Sequence, residues 1–329
     1  MEQKRAYISS VGMYVPENVI TNHDLSQRVE TSDEWIRERT GIRERRIVSE
    51  GECTSDLAVR AALDCLAGAG RRAEDLDLII VSTVTPDMMF PATACVVQEK
   101  LGAKNAWGFD LSAACSGFLF ALATGAQFVQ TGAYERVMVI GADVMSTIAD
   151  PTDRSTCVLF GDGAGAVLLE PATDPEQGIL DHLLRCDGSG GEYLYMPAGG
   201  SRMPPSIETV QQRLHYIRQD GRMVFKFAVK YMAEISLEIL RRNQMTPDAL
   251  RWFIPHQANL RIIRSTADRL QLRDDQVVVN IDRYANTTAA TIPMCLAEIF
   301  HQGSLKRGDL ILMASFGAGF TWGGLLLRW

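Results

Sequence analysis

Residues 76–84 read LDLIIVSTV, residues 136–144 read RVMVIGADV, and residues 166–170 read AVLLE. Each is a short apolar run rich in branched side chains, which is typical of a buried strand. Longer stretches with the spacing of helices separate these runs. Because strands that alternate with helices form parallel sheets covered by helices, the sequence predicts an α/β fold.

The second half of the chain repeats the order of the first. Leu78-Ile-Ile-Val-Ser aligns with Leu250-Arg-Trp-Phe-Ile, and Val137-Met-Val-Ile aligns with Asp309-Leu-Ile-Leu, both 172 residues later. Such short matches also arise by chance, but their preserved order favours an internal duplication. We therefore expect two similar halves, residues 1–175 and 176–329, with a ligand cleft where loops at the carboxyl ends of their strands meet.

Composition limits the classes of function. The 329 residues, 47% of them hydrophobic, can bury a large core without a metal or a disulfide. The five histidines and seven cysteines lack the spacing of a zinc site, so we expect no metal. A net charge of −7 argues against a nucleic-acid surface. Without a signal peptide or a membrane span in the sequence, we expect a cytoplasmic protein with reduced thiols.

Cys115 is the candidate nucleophile. It lies in FDLSAACSGF, residues 109–118, between the start of a strand and a helical run from Gly117 to Gln130. A cysteine at a helix N-terminus lies at the positive end of the helix dipole, which would lower its pKa below about 8.5. The alternative is that Cys115 is a small buried residue like the other six cysteines.

His256 and Asn286 occupy two similar turns. His256 follows the apolar strand Leu250 to Ile254 and precedes a helix, while Asn286 lies in the stretch RYANTTAA, which also reads as a strand-to-helix turn. The internal repeat places Cys115 opposite Thr287 and therefore beside Asn286. Taken singly, the histidine could be structural and the asparagine a helix cap. The three residues together indicate a catalytic site.

Two glycine-rich stretches require a choice between readings. GDGAGA at residues 161–166 fits a dinucleotide-binding pattern, but it leads into a short strand, whereas such a site needs a helix at that point. We therefore reject nicotinamide binding. FGAGF at residues 316–320 reads as a duplicate of the first stretch. A tight turn there would bring backbone N–H groups close to Cys115, as an oxyanion hole requires.

Seven segments of the chain resemble β-ketoacyl-acyl carrier protein synthase III, in the order in which that family has them. They are TSDEWIRERTGIRER (31–45), SAACSGF (112–118), LFGDGAGA (159–166), GRMVFKFAV (221–229), PHQANLRI (255–262), RYANT (283–287) and SFGAGFTWGG (315–324). The resemblance implies a thiolase fold with two duplicated βαβαβαββ halves in a layered α-β-α-β-α arrangement. It also implies a homodimer that begins fatty acid synthesis in the cytoplasm. Acyl-CoA and malonyl-acyl carrier protein are then substrates, and no cofactor is needed.

The resemblance also implies roles for individual residues. Cys115 is the nucleophile, His256 and Asn286 hold the malonyl thioester, and the backbone N–H groups of Cys115 and Ala318 form the oxyanion hole. The remaining assignments are Trp35, Arg39, Arg154, Gly221 and Asn259 for coenzyme A, Arg261 and Lys226 for the carrier protein, and Phe90 for closing the acyl pocket across the dimer. Three positions depart from the commonest family pattern, namely Ala285, Ala318 and Gln219. None of them removes a catalytic group, but Ala285 and Ala318 are expected to reshape the acyl pocket.

Three other functions compete with this interpretation. A papain-like protease has a histidine and an asparagine at similar distances after its cysteine, but the local cysteine signature of that family is missing here. An acyltransferase of secondary metabolism with the same three residues is the closer alternative. A non-catalytic protein with the same fold would normally have lost one of the three.

Overall fold

The computed structural model describes residues 5–329. The strands are β1 (Ala6–Tyr14), β2 (Asn18–Thr21), β3 (Glu44–Ile47), β4 (Leu78–Ser82), β5 (Trp107–Leu111), β6 (Val137–Val144), β7 (Asp162–Pro171), β8 (Gly178–Cys186), β9 (Leu194–Tyr195), β10 (Arg218–Gln219), β11 (Trp252–Pro255), β12 (Leu310–Gly317) and β13 (Thr321–Arg328). The helices are α1 (Asn22–Ser26), α2 (Asp33–Thr40), α3 (Thr54–Ala69), α4 (Thr93–Leu101), α5 (Gly117–Gln130), α6 (Ile207–Gln211), α7 (Gly221–Arg242), α8 (Leu260–Arg269), α9 (Ile281–Tyr284) and α10 (Thr291–His301). None of these helices is long and apolar enough to cross a membrane.

Two mixed sheets have matching topologies. The first has the strand order β1-β7-β6-β4-β5 and the second has the order β8-β13-β12-β11. In both sheets a parallel pair, β4 with β6 or β11 with β12, is followed by two antiparallel pairings, β6–β7–β1 or β12–β13–β8. In the first sheet β5 adds a third parallel strand beside β4. The strands that the sequence repeat aligns therefore hold equivalent places, which confirms the duplicated α/β architecture. Strand β5 has no counterpart in the second sheet of the described chain.

Five layers result from this arrangement. Helices α5 and α10 contact both sheets and form the middle layer, α3 and α4 cover the first sheet, and α7 and α8 cover the second. Helix α5 is apolar around almost its whole circumference, as a helix between two sheets must be. Its Gly125 allows the close approach, since a Cβ there would lie 2.9 Å from Val139 Cγ2.

All five strands of the first sheet lie before residue 175, and all four of the second lie after residue 176. This distribution of strands agrees with the predicted halves 1–175 and 176–329. The exact boundary between the halves stays a prediction.

The first glycine-rich stretch is part of a strand. We expected a strand from residue 166, but β7 begins at Asp162 and includes Gly163 and Gly165. A Cβ at Gly165 would lie 2.7 Å from Pro293 Cβ, so glycine lets α10 pack directly on the strand. The next element is strand β8 and not a helix, in agreement with the rejection of a dinucleotide site.

Candidate active site

Cys115 lies in a 3₁₀ turn, Ala114–Ser116, that joins the region after β5 to the start of α5. Its side chain is 9% exposed. Three hydrogen bonds fasten this turn to the second sheet. Ser315 Oγ donates to the Cys115 carbonyl at 2.8 Å, Thr321 Oγ1 donates to the Ala113 carbonyl at 2.9 Å, and Ser116 Oγ donates to the Thr321 carbonyl at 3.0 Å. The two halves of the fold thus jointly fix the position of the thiol.

The second glycine-rich stretch packs against Cys115. A Cβ at Gly317 would lie 2.7 Å from the Cys115 nitrogen and 3.1 Å from its Cβ, so this contact requires glycine. Ala318 follows and lines a cavity together with Cys115. The backbone of Ala318 is not in the left-handed region, so alanine at this position causes no strain. The geometry puts the backbone of residues 317–318 beside the thiol, where the sequence predicted an oxyanion hole.

His256 follows the last residue of β11 and is 2% exposed. Its Nδ1 lies 2.7 Å from Thr291 Oγ1, while Nε2 is buried without a hydrogen-bond partner among the described residues. Burial lowers the pKa of His256 to about 3, so the imidazole is neutral at physiological pH. No hydrogen bond joins His256 to Cys115. A papain-like pair, in which histidine bonds to the cysteine, is therefore absent from residues 5–329.

Asn286 differs from the expected strand-to-helix turn. It follows the one-turn helix α9, and its only strand-like pairing is an isolated bridge to Phe160. The Asn286 Oδ1 accepts the Thr288 N–H at 2.9 Å, which fixes the orientation of the amide. Because Oδ1 is occupied in this way, the Nδ2 group is left to donate toward the cavity that Asn286 lines.

The expected depression of the Cys115 pKa was wrong. Burial, together with a smaller effect of the nearby Asp143 carboxylate, raises the pKa of this thiol to about 12. The physical reason is that the thiol is enclosed by Ala114, Gly317 and the start of α5, where a thiolate loses its hydration. Cys115 is therefore a neutral thiol at physiological pH.

A cavity of about 480 Å³ joins the three residues to the surface. It is lined by Cys115, His256 and Asn286, which are buried, and by Trp35, Arg39, Arg154, Gly221, Asn259 and Arg261, which are partly or fully exposed. Gln219 lines it as well. The cavity therefore runs from an exposed mouth to the buried residues. All five residues predicted to contact coenzyme A lie on it, together with Arg261.

Two arginines lie close to the Trp35 ring at the mouth. The guanidinium carbons of Arg39 and Arg154 lie 4.8 Å and 5.2 Å from the centre of its ring. Asn259 ties this corner together, since its Nδ2 donates to the Arg39 carbonyl at 2.9 Å and its Oδ1 accepts the Arg261 N–H at 2.8 Å. The mouth thus presents an aromatic ring beside several cations, a combination that suits a base and its phosphates.

A second cavity of about 160 Å³ opens on the other side of Cys115. It shares Cys115, Phe160 and Leu194 with the larger cavity and is otherwise mainly apolar. Cys115 therefore lies where the larger cavity, called the tunnel from here on, meets the small apolar pocket. Ala318 lines this pocket as expected, whereas Ala285 does not line it and packs instead with Ile36, Ile42 and Ile281.

Two of the predicted residues lie away from both cavities. The side chain of Phe90 is 85% exposed, in a loop with Met88 and Met89. Lys226 is also exposed, with its Nζ 6.0 Å from the centre of the Phe227 ring. The single chain does not bring either residue to Cys115.

Several site residues were not found from the sequence. Thr291 contacts His256, Ser315 and Thr321 hold the Cys115 turn, and Asp143 lies behind it. The Asp143 carboxylate accepts hydrogen bonds from Val84 N at 2.8 Å and Ala289 N at 3.2 Å, and so links the two halves. Contacts between residues so far apart in the chain leave no spacing signal. Only the RYANTTAA turn, which leads to Thr291, pointed toward this region.

Two models of the 3-oxoacyl-[acyl-carrier-protein] synthase III family match the chain. One matches residues 109–188, and the model of the family's C-terminal part matches residues 240–329. Together these segments contain Cys115, His256 and Asn286.

Individual relatives extend the likeness to the full length. A β-ketoacyl-[acyl-carrier-protein] synthase III from Koribacter versatilis (strain Ellin345) is 55% identical over 327 residues, which cover 99% of this chain and 98% of that protein. The crystal structure of 3-oxoacyl-[acyl-carrier-protein] synthase III from Aquifex aeolicus VF5 has 46% identity and a TM-score of 0.92, covering 98% of this chain and 100% of that one. The priming β-ketosynthase from the R1128 polyketide biosynthetic pathway has the same TM-score with 34% identity, covering 99% of this chain and 97% of that one.

Proposed function

This chain belongs to the β-ketoacyl-[acyl-carrier-protein] synthase III family of thiolase-fold condensing enzymes, and from that membership we propose how its buried site works. The enzyme is an acyltransferase that initiates fatty acid synthesis, with acyl-CoA and malonyl-acyl carrier protein as substrates. The observation that carries the proposal is the position of Cys115 between the tunnel and the small apolar pocket, with His256 and Asn286 on the tunnel beside it.

The first half-reaction is acylation of Cys115. The primer acyl group enters the apolar pocket while its coenzyme A occupies the tunnel, so that Sγ attacks the thioester carbonyl. The backbone N–H groups of Cys115 and Ala318 hold the oxyanion, each donor contributing about 3–4 kcal/mol. The C–S bond of the thioester breaks, and the proton lost by Cys115 leaves with coenzyme A as its thiol. A covalent intermediate splits the exchange into two easier steps.

The second half-reaction is decarboxylative condensation. The malonyl thioester replaces coenzyme A in the tunnel, and His256 and Asn286 donate to its carbonyl oxygen. Loss of carbon dioxide leaves electrons on an enolate, which these two neutral donors stabilise. Its carbon attacks the acyl-Cys115 carbonyl, the C–S bond breaks, and the Cys115 thiolate takes up a proton from solvent water. The low pKa of His256 supports this role, because a neutral imidazole can stay a donor throughout.

The mouth of the tunnel fits the two carriers. We propose that Trp35 and Arg154 flank the adenine of coenzyme A, with Arg39, Gly221 and Asn259 along its length. The cations above the Trp35 ring support this placement. Arg261 on the mouth, with Lys226 on the adjoining exposed face of α7, is proposed to receive the acidic carrier protein. Coenzyme A is here a substrate, and the proposed chemistry uses no metal or redox cofactor.

We also propose a homodimer in which Phe90 completes the acyl pocket of the partner. Met89 and Phe90 are 80% and 85% exposed, and exposed neighbouring apolar side chains favour a protein interface. Sedimentation velocity of the intact chain tests this proposal, and a monomer at assay concentrations would contradict it. A cytoplasmic location is proposed because all seven cysteines are free thiols, which a reducing compartment maintains.

Acyl transfer to Cys115 is the first test of the mechanism. After the enzyme is mixed with acetyl-CoA, intact-mass spectrometry should find one acetyl adduct on the wild type and none on Cys115→Ala. Cys295→Ala is the matched control, since Cys295 is also buried but lies on α10 outside both cavities. An adduct that persists on Cys115→Ala would show that another residue is the nucleophile.

A further inference from the structure

The neutral imidazole of His256 can carry its proton on either nitrogen, and the two forms differ in what they can do. With the proton on Nε2, the ring donates into the tunnel. With the proton on Nδ1, it presents a lone pair there and would repel an enolate oxygen. The surroundings of Nε2 favour neither form, because Nε2 has no hydrogen-bond partner among the described residues. The choice therefore depends on the group at Nδ1.

That group is the hydroxyl of Thr291, 2.7 Å from Nδ1 and 3.1 Å from the Thr288 carbonyl oxygen. The hydroxyl has one proton and can donate it to only one of these two acceptors. If it donates to Thr288, Nδ1 must carry the ring proton. If it donates to Nδ1, the ring proton must be on Nε2.

Two observations decide between these acceptors. The Thr288 carbonyl already accepts the backbone N–H of Thr291, so it is satisfied without the hydroxyl. The 2.7 Å separation also matches a hydroxyl donor, since bonds donated by N–H are usually about 2.9–3.0 Å long.

We propose that Thr291 donates its hydroxyl proton to Nδ1 and thereby fixes His256 as the Nε2–H tautomer, a positioning role that rests on the proposed function of His256. Thr291 is 2% exposed and begins α10, the helix between the two sheets. The hydroxyl is therefore held by the core of the fold and does not touch the substrate. The Nε2–H group of His256 and the Nδ2 group of Asn286 then form a pair of neutral donors, since the Asn286 Oδ1 is occupied by the Thr288 N–H.

The direct test is ¹⁵N NMR of enzyme labelled at its histidine rings, with the His256 signals identified by their loss in His256→Ala. We expect a bare Nδ1 and a protonated Nε2 in the wild type. A protonated Nδ1 would overturn the proposal, whatever the activity of any variant. In Thr291→Val the bare Nδ1 signal should move away from its hydrogen-bonded position, and in Thr291→Ser it should stay.

Kinetics supply the second readout. Thr291→Val should lower condensation on pre-acylated enzyme by about tenfold to a hundredfold and spare acylation of Cys115, while Thr291→Ser should keep near wild-type rates. Thr266→Val is the matched control, because Thr266 is fully buried with a hydroxyl that has no partner in the described chain. Unchanged condensation in Thr291→Val would refute the positioning role. Loss of acylation in Thr291→Val would instead contradict the proposed function of His256. If Thr291→Val fails to fold, the ring NMR spectrum of the wild type still decides which nitrogen carries the proton.

Discussion

At the scale of single residues, burial sets the protonation states of Cys115 and His256. Cys115 and His256 are both enclosed, and burial raises the pKa of the thiol to about 12 and lowers the pKa of the imidazole to about 3. Each side chain is thus kept in its neutral form. The sequence indicated a helix dipole at Cys115, but the extent of enclosure depends on Gly317 and on residues of the other half, which local sequence does not reveal.

The pH dependence of Cys115 reactivity follows from this. Because the pKa of the thiol is raised, the thiolate fraction grows as pH rises toward about 12. Alkylation of Cys115 by iodoacetamide should therefore accelerate about tenfold per pH unit between about pH 6 and pH 9. Peptide mass spectrometry, with Cys115→Ala as the blank, measures this rate. A plateau near neutral pH would instead indicate a thiolate stabilised by the helix dipole.

At the scale of elements, the site consists of equivalent turns from the two halves. The 3₁₀ turn Ala114–Ser116 precedes α5, and the 3₁₀ turn Thr288–Ala290 precedes α10. Their first residues, Ala114 and Thr288, both have positive φ, 47° and 54°, and the turns contact each other. The sequence repeat predicted this pairing of Cys115 with the region after Asn286. It did not predict that α9 replaces a strand there, because one helical turn leaves too little periodicity to recognise.

Ala285, which ends α9, has the backbone angles φ 57° and ψ −154°, a region that glycine accepts and alanine does not. Glycine would relieve about 1–3 kcal/mol of backbone strain at this position. Two costs oppose this gain, the loss of a buried methyl, about 0.8 kcal/mol, and the greater chain entropy of glycine in the unfolded state, about 0.5–1 kcal/mol. Ala285→Gly should then change the free energy of unfolding by less than about 1 kcal/mol.

The matched substitution is Ala290→Gly. Ala290 is also fully buried, but its φ of −76° is ordinary, so this change should cost about 1–2 kcal/mol. Urea unfolding of the two variants compares them. Equal destabilisation would mean that Ala285 is not strained.

At the scale of the whole molecule, the sequence predicted the fold and singled out three residues that the structure brings to one cavity, but it did not predict the contacts that support them. Apolar runs and their repetition at one offset predicted a duplicated α/β fold, since buried strands and their order leave a direct pattern in sequence, while the layered arrangement was implied by the family resemblance. Residues that support the Cys115 turn, such as Asp143 and Ser315, act across the boundary between the halves, and Thr291 reaches His256 from a separate element of the second half. Such contacts arise from packing between distant segments, which periodicity does not encode.

We propose that the two halves divide the chemistry, so that Cys115 of the first half performs acylation while His256 and Asn286 of the second half serve only condensation. One measurement tests this division directly. The measurement is the yield of acyl-Cys115 and the rate of β-ketoacyl product on the same preparations of His256→Ala and Asn286→Ala. We predict near-normal acylation with condensation reduced by about two to three orders of magnitude, the cost of one missing oxyanion donor. Equal loss of acylation and condensation in His256→Ala would contradict the account, because it would make His256 the base that deprotonates Cys115.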